Sequence, residues 1–454
     1  MSGISPATMP EAPTSTDAPT SADALQQAMA LHQQGQADAA EQLYLQIPEG
    51  EPQYADALHL RGLLAAKRRE WETAQALIWQ AIQRKPDEAM FHNNLGNVCL
   101  ERGMAHEAGV MYARAIELDG MRLDALSNLG LLLARTGRAD EAERLLLHAV
   151  ELARDNADFR QNLANLYLRQ DRLQDALQQC HDGLVRAPRS RTLRSLLVLA
   201  YAKAGRIADA QAVLQAWIDS EPDDPYPRHH LAALTGENVP ARAGDAYVTE
   251  MFDGFAAGFD GKLANLDYQA PQHVATALAR LLGSAAPVAS LLDAGCGTGL
   301  CGPLLAPLAQ RITGVDLSEG MLRRAHDRGV YADLFQGELV AFLQSRPLGF
   351  DAVTAADTLC YFGALDDFAA AALSALRPGG WLVFTVEALD DAAPEAVQPG
   401  CRLQYHGRYS HARGATLAAL QRAGLVDAAA EPVFLRKESG QPVQGWLVTA
   451  RRPA

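Results

Sequence analysis

The sequence predicts an all-α solenoid of helical repeats followed by a Rossmann-like α/β domain, and three observations carry that prediction. A 34-residue period starts at residue 21 and holds for six cycles without insertion. The stretch Leu291–Gly302 (Leu-Leu-Asp-Ala-Gly-Cys-Gly-Thr-Gly-Leu-Cys-Gly) joins an apolar strand to a glycine-rich turn. Beyond it, strand-like and helix-like segments alternate, as they do in a sheet wrapped by helices.

Bulk properties set the limits. A chain of 454 residues fits two or three domains at ~150 residues each. Apolar residues make up 48%, enough for sizeable cores. A net charge of −14 argues against a general nucleic-acid binder, which needs clustered Lys and Arg. The six cysteines (Cys99, Cys180, Cys296, Cys301, Cys360, Cys401) form no Cys-x-x-Cys pair, so they read as reduced thiols with no metal framework. Neither a signal peptide nor an apolar run of ~18 residues is visible, and the expected setting is cytoplasmic, away from membranes.

Residues 1–20 are rich in Pro, Thr, Ser and Ala and read as a disordered tail, because such a segment cannot bury enough surface to offset its ordering entropy. Residues 21–240 carry the repeats. Position 20 of each cycle is Ala40, Ala74, Ala108, Ala142, Ala176 and Ala210. Position 8 is Ala28, Gly62, Gly96, Gly130, Ala164 and Val198, and position 15 is Gly35, Arg69, Gly103, Gly137, Asp171 and Gly205. Small residues at positions 8 and 20 allow two antiparallel helices to cross closely, with position 15 as the turn between them. This pattern resembles the tetratricopeptide repeat, whose copies stack into a superhelix. A partial seventh helix around Tyr226–Thr235 would cap the stack.

Stacking turns the period into a row in space. Asn94, Asn128 and Asn162 occupy position 6, and Asn97 and Asn165 position 9. Such a ladder can grip an extended peptide of a protein partner through its amide donors and acceptors. Alternatively, the same amides serve helix packing and solubility.

Residues 241–285 interleave aromatics with acids: Phe252-Asp253, Phe255, Phe259-Asp260 and Tyr268. They read as a helical lid or linker of the following domain. The Phe252, Phe255 and Phe259 stripe at helical spacing suits a core, which leaves Tyr268 as the better ligand candidate.

Residues 286–454 form the α/β domain. Expected strands are 290–293, 312–316, 332–336, 350–355 and 381–386, with a late hairpin of 432–437 and 445–451. Gly295, Gly297 and Gly299 permit positive φ and leave the backbone open to a ligand. Asp293 ends the strand before them. Asp316 ends the next strand, 21 residues beyond Gly295, where a carboxylate can accept ribose hydroxyls. Gly337-Glu338 follows the third strand, and Leu376-Arg377-Pro378-Gly379-Gly380 turns into the fifth.

With Phe350-Asp351 and the late hairpin, this set resembles the class I S-adenosylmethionine (SAM)-dependent methyltransferases. The combined pattern is similar to methyltransferases fused to tetratricopeptide repeats. The resemblance implies SAM as cofactor, with Asp293, Gly295, Cys296, Gly297 and Gly299 at its methionine end. Asp316 would then hold the ribose, with Leu317 beside it, and Glu338 with Leu339 the adenine; Tyr268 and Asp357 are further cofactor-binding candidates.

Methyl transfer from a sulfonium needs chiefly alignment, and a base only where the nucleophile is protonated. Asp357 and Tyr361 follow the fourth strand, on the side where sheet ligands bind. His411 is the expected general base, with Tyr409 to orient it and Arg408 to bind an anionic substrate; Glu387 could line the same cavity. Three functions remain open: a protein methyltransferase recruiting its substrate through the repeats, an enzyme acting on a small acidic metabolite with the repeats used for assembly, and a non-catalytic SAM-binding scaffold. No metal is expected.

Overall fold

The computed structural model describes residues 20–264, 266–390, 392–393, 399–438 and 440–454. Residues 1–19 of the tail expected over residues 1–20, and Ser439 of the late hairpin, lie outside the described residues; Thr20 caps the first helix. The chain divides between Ala200 and Tyr201 into two compact units.

Along the repeats, which run through the first unit and into the start of the second, paired helices follow the period closely. The first helices of the cycles are Ser21–Gln33, Tyr54–Lys67, Ala89–Glu101, Leu123–Arg135, Ala157–Arg169 and Arg191–Lys203. Every position-15 residue has a positive φ, from 59° at Asp171 to 83° at Gly137, which reverses the chain between the two helices of a pair. The position-20 alanines are all fully buried. At the three position-8 glycines, Gly62, Gly96 and Gly130, a side chain would collide with the paired helix: a Cβ on Gly96 would meet Tyr112 Cε1 at 2.5 Å. Glycine is therefore a steric requirement of those three crossings.

The second unit begins with the helices Ile207–Ser220 and Pro225–Thr235. Asp224 caps the latter by accepting from the Tyr226 amide. The helix does not simply end a stack; it packs on the α/β domain. His229 Nε2 lies 2.8 Å from the Gly407 carbonyl, its ring stacks on Tyr247 at 4.2 Å, and Ala232 packs with Leu403 and Tyr409.

The sheet consists of β1 (Leu291–Ala294), β2 (Ile312–Asp316), β3 (Asp333–Gln336), β4 (Phe350–Ala355), β5 (Leu376–Ala388), β6 (Cys401–Leu403), β7 (Tyr409–His411), β8 (Val426–Glu438) and β9 (Gln441–Arg451). Its order runs β3-β2-β1-β4-β5, with those neighbours parallel. β9 then pairs antiparallel with β5, and β8 with β9, so the expected hairpin does enter the sheet. The last two residues of β5 also pair with β7, and β6 pairs with β7. These two short strands were not anticipated from the sequence. Alternate residues face opposite cores: Leu292, Val353 and Phe384 on one side, Leu291, Ala352 and Val383 on the other. Among the described residues no helix is long and apolar enough to cross a membrane.

Candidate functional site

The carboxyl ends of the parallel strands open onto a cavity of about 250 Å³. Eleven of the expected site residues line it: Tyr268, Gly295, Cys296, Gly297, Asp316, Leu317, Glu338, Leu339, Asp357, Tyr361 and Arg408. Asp293, Gly299, Tyr409 and His411 do not.

The glycine turn is shaped for close approach. Gly295, Gly297 and Gly299 have φ of 70°, 55° and 81°. A Cβ on Gly295 would come within 2.2 Å of Thr358 Cγ2, whereas one on Gly297 would meet nothing within 4 Å. Gly297 thus faces open cavity, and a side chain there would project into it. Asp316 ties this turn to its own strand, Oδ2 accepting from the Gly297 amide and Oδ1 from the Ser318 amide, both at 2.9 Å. Asp293 lies beneath the turn, 1% exposed, and accepts the Tyr331 hydroxyl at 2.7 Å. Burial, aided by nearby Asp316, pushes its carboxyl up to about 7 against the pull of Tyr331. Glu338 caps the helix Leu339–Gln344, its two oxygens accepting from the Val340 and Ala341 amides at 3.0 and 2.8 Å. It therefore serves the helix as well as the cavity wall.

The 241–285 segment closes one side. Phe252 and Phe259 line the cavity and meet edge to face at 5.9 Å, so the stripe expected to be plain core is wall; Phe255 is exposed instead. The interleaved acids explain how the segment stays in place. Asp253 accepts from Ser318 Oγ at 2.5 Å and from the Gly320 amide at 3.2 Å. Asp260 accepts from Thr298 Oγ1 at 2.5 Å and from Arg328 at 2.6 Å. Both clasps reach the turns that follow β1 and β2.

A buried ionic network also borders the cavity. Arg436, 4% exposed, donates Nη1 to Asp357 Oδ2 and Nη2 to Glu387 Oε1, while its Nε reaches Glu438 Oε1 at 2.7 Å. Arg408 donates Nε to Glu387 at 2.5 Å and Nη2 to both oxygens of Glu438 at 2.6 and 2.7 Å. Burial works against ionisation of Glu387, but Arg408 and Arg436 prevail and hold its carboxyl below the usual range. Glu387 stands behind the cavity wall rather than in it. Asp357 adopts a positive φ of 54°, its amide donates to Thr385 Oγ1 at 2.9 Å, and burial raises its carboxyl despite Arg436. Sequence reading missed Arg436 and Glu438. The periodic pattern of β8 marks only a strand, and their role comes from partners far along the chain.

His411 does not fit the expected role of base. It is 2% exposed, and Nε2 lies 2.9 and 3.0 Å from the carbonyls of Phe362 and Gly363. Burial lowers its pKa to about 4, so the ring is a neutral donor that ties β7 to the turn after β4. Tyr409 is equally buried and donates to the Pro240 carbonyl at 2.6 Å, away from His411. Cys296 is buried with its thiol pushed well above the usual range by desolvation, which suits packing.

In the first unit the asparagine ladder is bonded along the stack. Asn128 Nδ2 donates to Asn93 and Asn97 Oδ1, each at 3.0 Å, and Asn97 Oδ1 also accepts from Tyr112 at 2.8 Å. Asn94 Nδ2 lies 2.9 Å from His59 Nε2, Asn162 donates to Ser127 Oγ at 3.1 Å, and Asn165 donates to the Gln161 carbonyl at 3.1 Å. Much of the amide capacity expected to meet a peptide is spent between neighbouring helices.

A parallel sheet with a glycine-rich turn after its first strand, an acid ending the second and an antiparallel terminal hairpin defines a Rossmann-like ligand-binding domain. Comparison with known proteins names its family. Residues 266–429 match the methyltransferase domain family, and residues 59–116, 123–156, 145–178 and 167–234 match tetratricopeptide repeats. The chain joins tetratricopeptide repeats to a methyltransferase-family domain. Methyltransferase-like protein 27 of Homo sapiens is 32% identical over 176 residues, 38% of this chain and 66% of its own length. The ubiquinone biosynthesis O-methyltransferase of Thiobacillus denitrificans is 30% identical over 112 residues, 23% of this chain and 48% of its own length. The chain thus spans about half to just under two thirds of these relatives. The solved structure of TTC0263, a thermophilic TPR protein in Thermus thermophilus, is 25% identical, covers 40% of this chain and 100% of its own, with a TM-score of 0.33.

Proposed function

We propose that residues 286–454, closed by 241–285, bind SAM and transfer its methyl group, and that the repeats recruit a protein that is, or carries, the acceptor. The observation that carries the cofactor reading is Gly297: its backbone faces open cavity beside Asp316, the acid suited to a ribose. Glu338, Leu339, Tyr268, Asp357 and Tyr361 line the same cavity, which supports an adenine held by the first two and the methyl-bearing end by the other three. SAM supplies an activated methyl on a sulfonium. The chain's own part is to hold that end in a dry, aromatic-walled pocket with the acceptor at attack distance, an alignment worth ~7–11 kcal/mol.

The repeats as a protein dock rest on the general use of such arrays, with Asn97 the exposed member of the ladder. A cytoplasmic setting is supported by six free cysteines. The alternative of an acidic metabolite bound by Arg408 loses support, because that guanidinium is already engaged by Glu387 and Glu438.

Calorimetry of the full chain with SAM tests the reading. Binding to the wild type that weakens by about 100-fold in Asp316→Ala supports it, being the loss of charge-assisted hydrogen bonds. No binding to the wild type overturns it.

A further inference from the structure

The ionic network around Arg436 is not charge-balanced. Asp357, Glu387 and Glu438 supply three carboxylates, and Arg408 and Arg436 two guanidiniums, while His406, 3.8 Å from Glu387, is kept toward its neutral form by burial and by Arg408. All three Arg436 nitrogens are engaged. Asp357 Oδ1, in contrast, is buried and has no hydrogen-bond partner among the described residues, although Asp357 lines the cavity. A carboxylate oxygen left in that state costs free energy unless a ligand donor satisfies it.

The cavity that Asp357 lines carries the apolar and aromatic side chains Phe252, Phe259, Leu263, Tyr268 and Tyr361 together with Arg408, Arg436 and Glu438 of the network. In such surroundings a surplus negative charge acts strongly on a neighbouring ion. It repels a carboxylate or phosphate and attracts a cation.

We propose that Asp357 and the surplus charge of its network form a cation subsite at the point of methyl transfer, so that the acceptor is an amine nitrogen rather than a carboxylate. This rests on the SAM reading above. In the step, the neutral amine's lone pair forms the N–C bond as the C–S bond breaks, and that bond's electron pair stays on sulfur. The positive charge moves to nitrogen without leaving the subsite, and the nitrogen's surplus proton passes to Asp357 Oδ1. The raised carboxyl of Asp357 is suited to receiving it.

Calorimetry with two defined probes tests this on the full chain. Sinefungin places a protonated amine where the methyl-bearing sulfonium stands; S-adenosylhomocysteine is neutral there. Sinefungin is expected to bind about 10-fold tighter or more, and Asp357→Asn to shrink that ratio to below about 3-fold. Glu438→Gln, whose side chain is one-third exposed, removes one unit of the same charge and serves if Asp357→Asn fails to melt cooperatively. A wild-type ratio of one or less, or a ratio unchanged in both variants, overturns the subsite while leaving the cofactor reading intact. If S-adenosylhomocysteine itself does not bind, the cofactor reading fails and the subsite with it. Methyl label transferred in a cognate lysate should survive base; label released as methanol marks a carboxylate acceptor and overturns the amine assignment.

Discussion

Tyr331 donates its hydroxyl hydrogen to Oδ2 of Asp293 across 2.7 Å, beneath a glycine turn that leaves the carboxylate 1% exposed. The pair links β1 to the loop before β3, and it opposes the burial that raises the Asp293 carboxyl.

Tyr331→Phe should therefore destabilise the α/β domain by ~1–3 kcal/mol, the cost of leaving a buried carboxylate short of a donor. The folded carboxyl sits at about 7 against 3.8 for the free group, so between those values the folded state keeps a proton that the unfolded state has lost. The contribution of Asp293 to stability is complete below 3.8 and is lost as pH rises through about 7. Urea unfolding across pH ~5 to ~8 should show this slope, with a flatter profile in Asp293→Asn and a smaller Tyr331→Phe penalty at the acid end.

The first two glycines of the turn should separate folding from binding. Gly297→Ala bears a positive-φ strain of ~1–2 kcal/mol and places its Cβ in open cavity. It is expected to fold and to lose SAM affinity by at least about 10-fold. Gly295→Ala drives a Cβ against Thr358, so its loss should appear first in thermal melting, at ~1–3 kcal/mol or more. Equal affinity in Gly297→Ala and wild type would contradict the placement of the ligand.

His411 should behave as a structural residue. Replacement by Asn is expected to cost ~1–3 kcal/mol in stability by stranding the Phe362 and Gly363 carbonyls, while methyl transfer per folded molecule changes only a few-fold. With a folded pKa of about 4 against 6.5, its stabilising contribution is present above 6.5 and lost as pH falls through about 4. A large fall in kcat with unchanged melting would restore it as a base.

Truncation tests how the helix Pro225–Thr235 supports the α/β domain within the second unit. A fragment of residues 201–454 keeps Tyr226, His229 and His230, which surround Tyr247 and reach the carbonyls of Tyr405 and Gly407. A fragment of residues 241–454 exposes Tyr247 and frees the turn that leads into Arg408. The shorter fragment should melt several degrees lower, on the scale of ~1–3 kcal/mol for lost aromatic packing; identical melting would remove that helix from the α/β domain.

The repeats were legible because their decisive contacts are local. Gly62, Gly96 and Gly130 face the next helix in the chain, and the positive φ at Arg69 and Asp171 continues the glycine pattern of the turns. The glycine turn and Asp316 were legible for a similar reason, since a backbone needing room next to a strand end leaves its mark in residue type. β6 and β7 were not, being three residues each with no periodicity to detect.

Sequence alone determined the repeat register, the positions of the main strands along the chain, the glycine turn and its two acids, because each depends on neighbours in the chain. Tertiary structure alone decided which charges share the cavity and which do not. Arg436 pairs with Asp357 and Glu387 across 79 and 49 residues, and His411 is turned into the sheet by carbonyls 48 and 49 residues away. An ionisable side chain reads the same in sequence whether it meets solvent, a counter-ion or a buried carbonyl. Its chemistry is set by burial and partners, which exist only once the strands have been brought together.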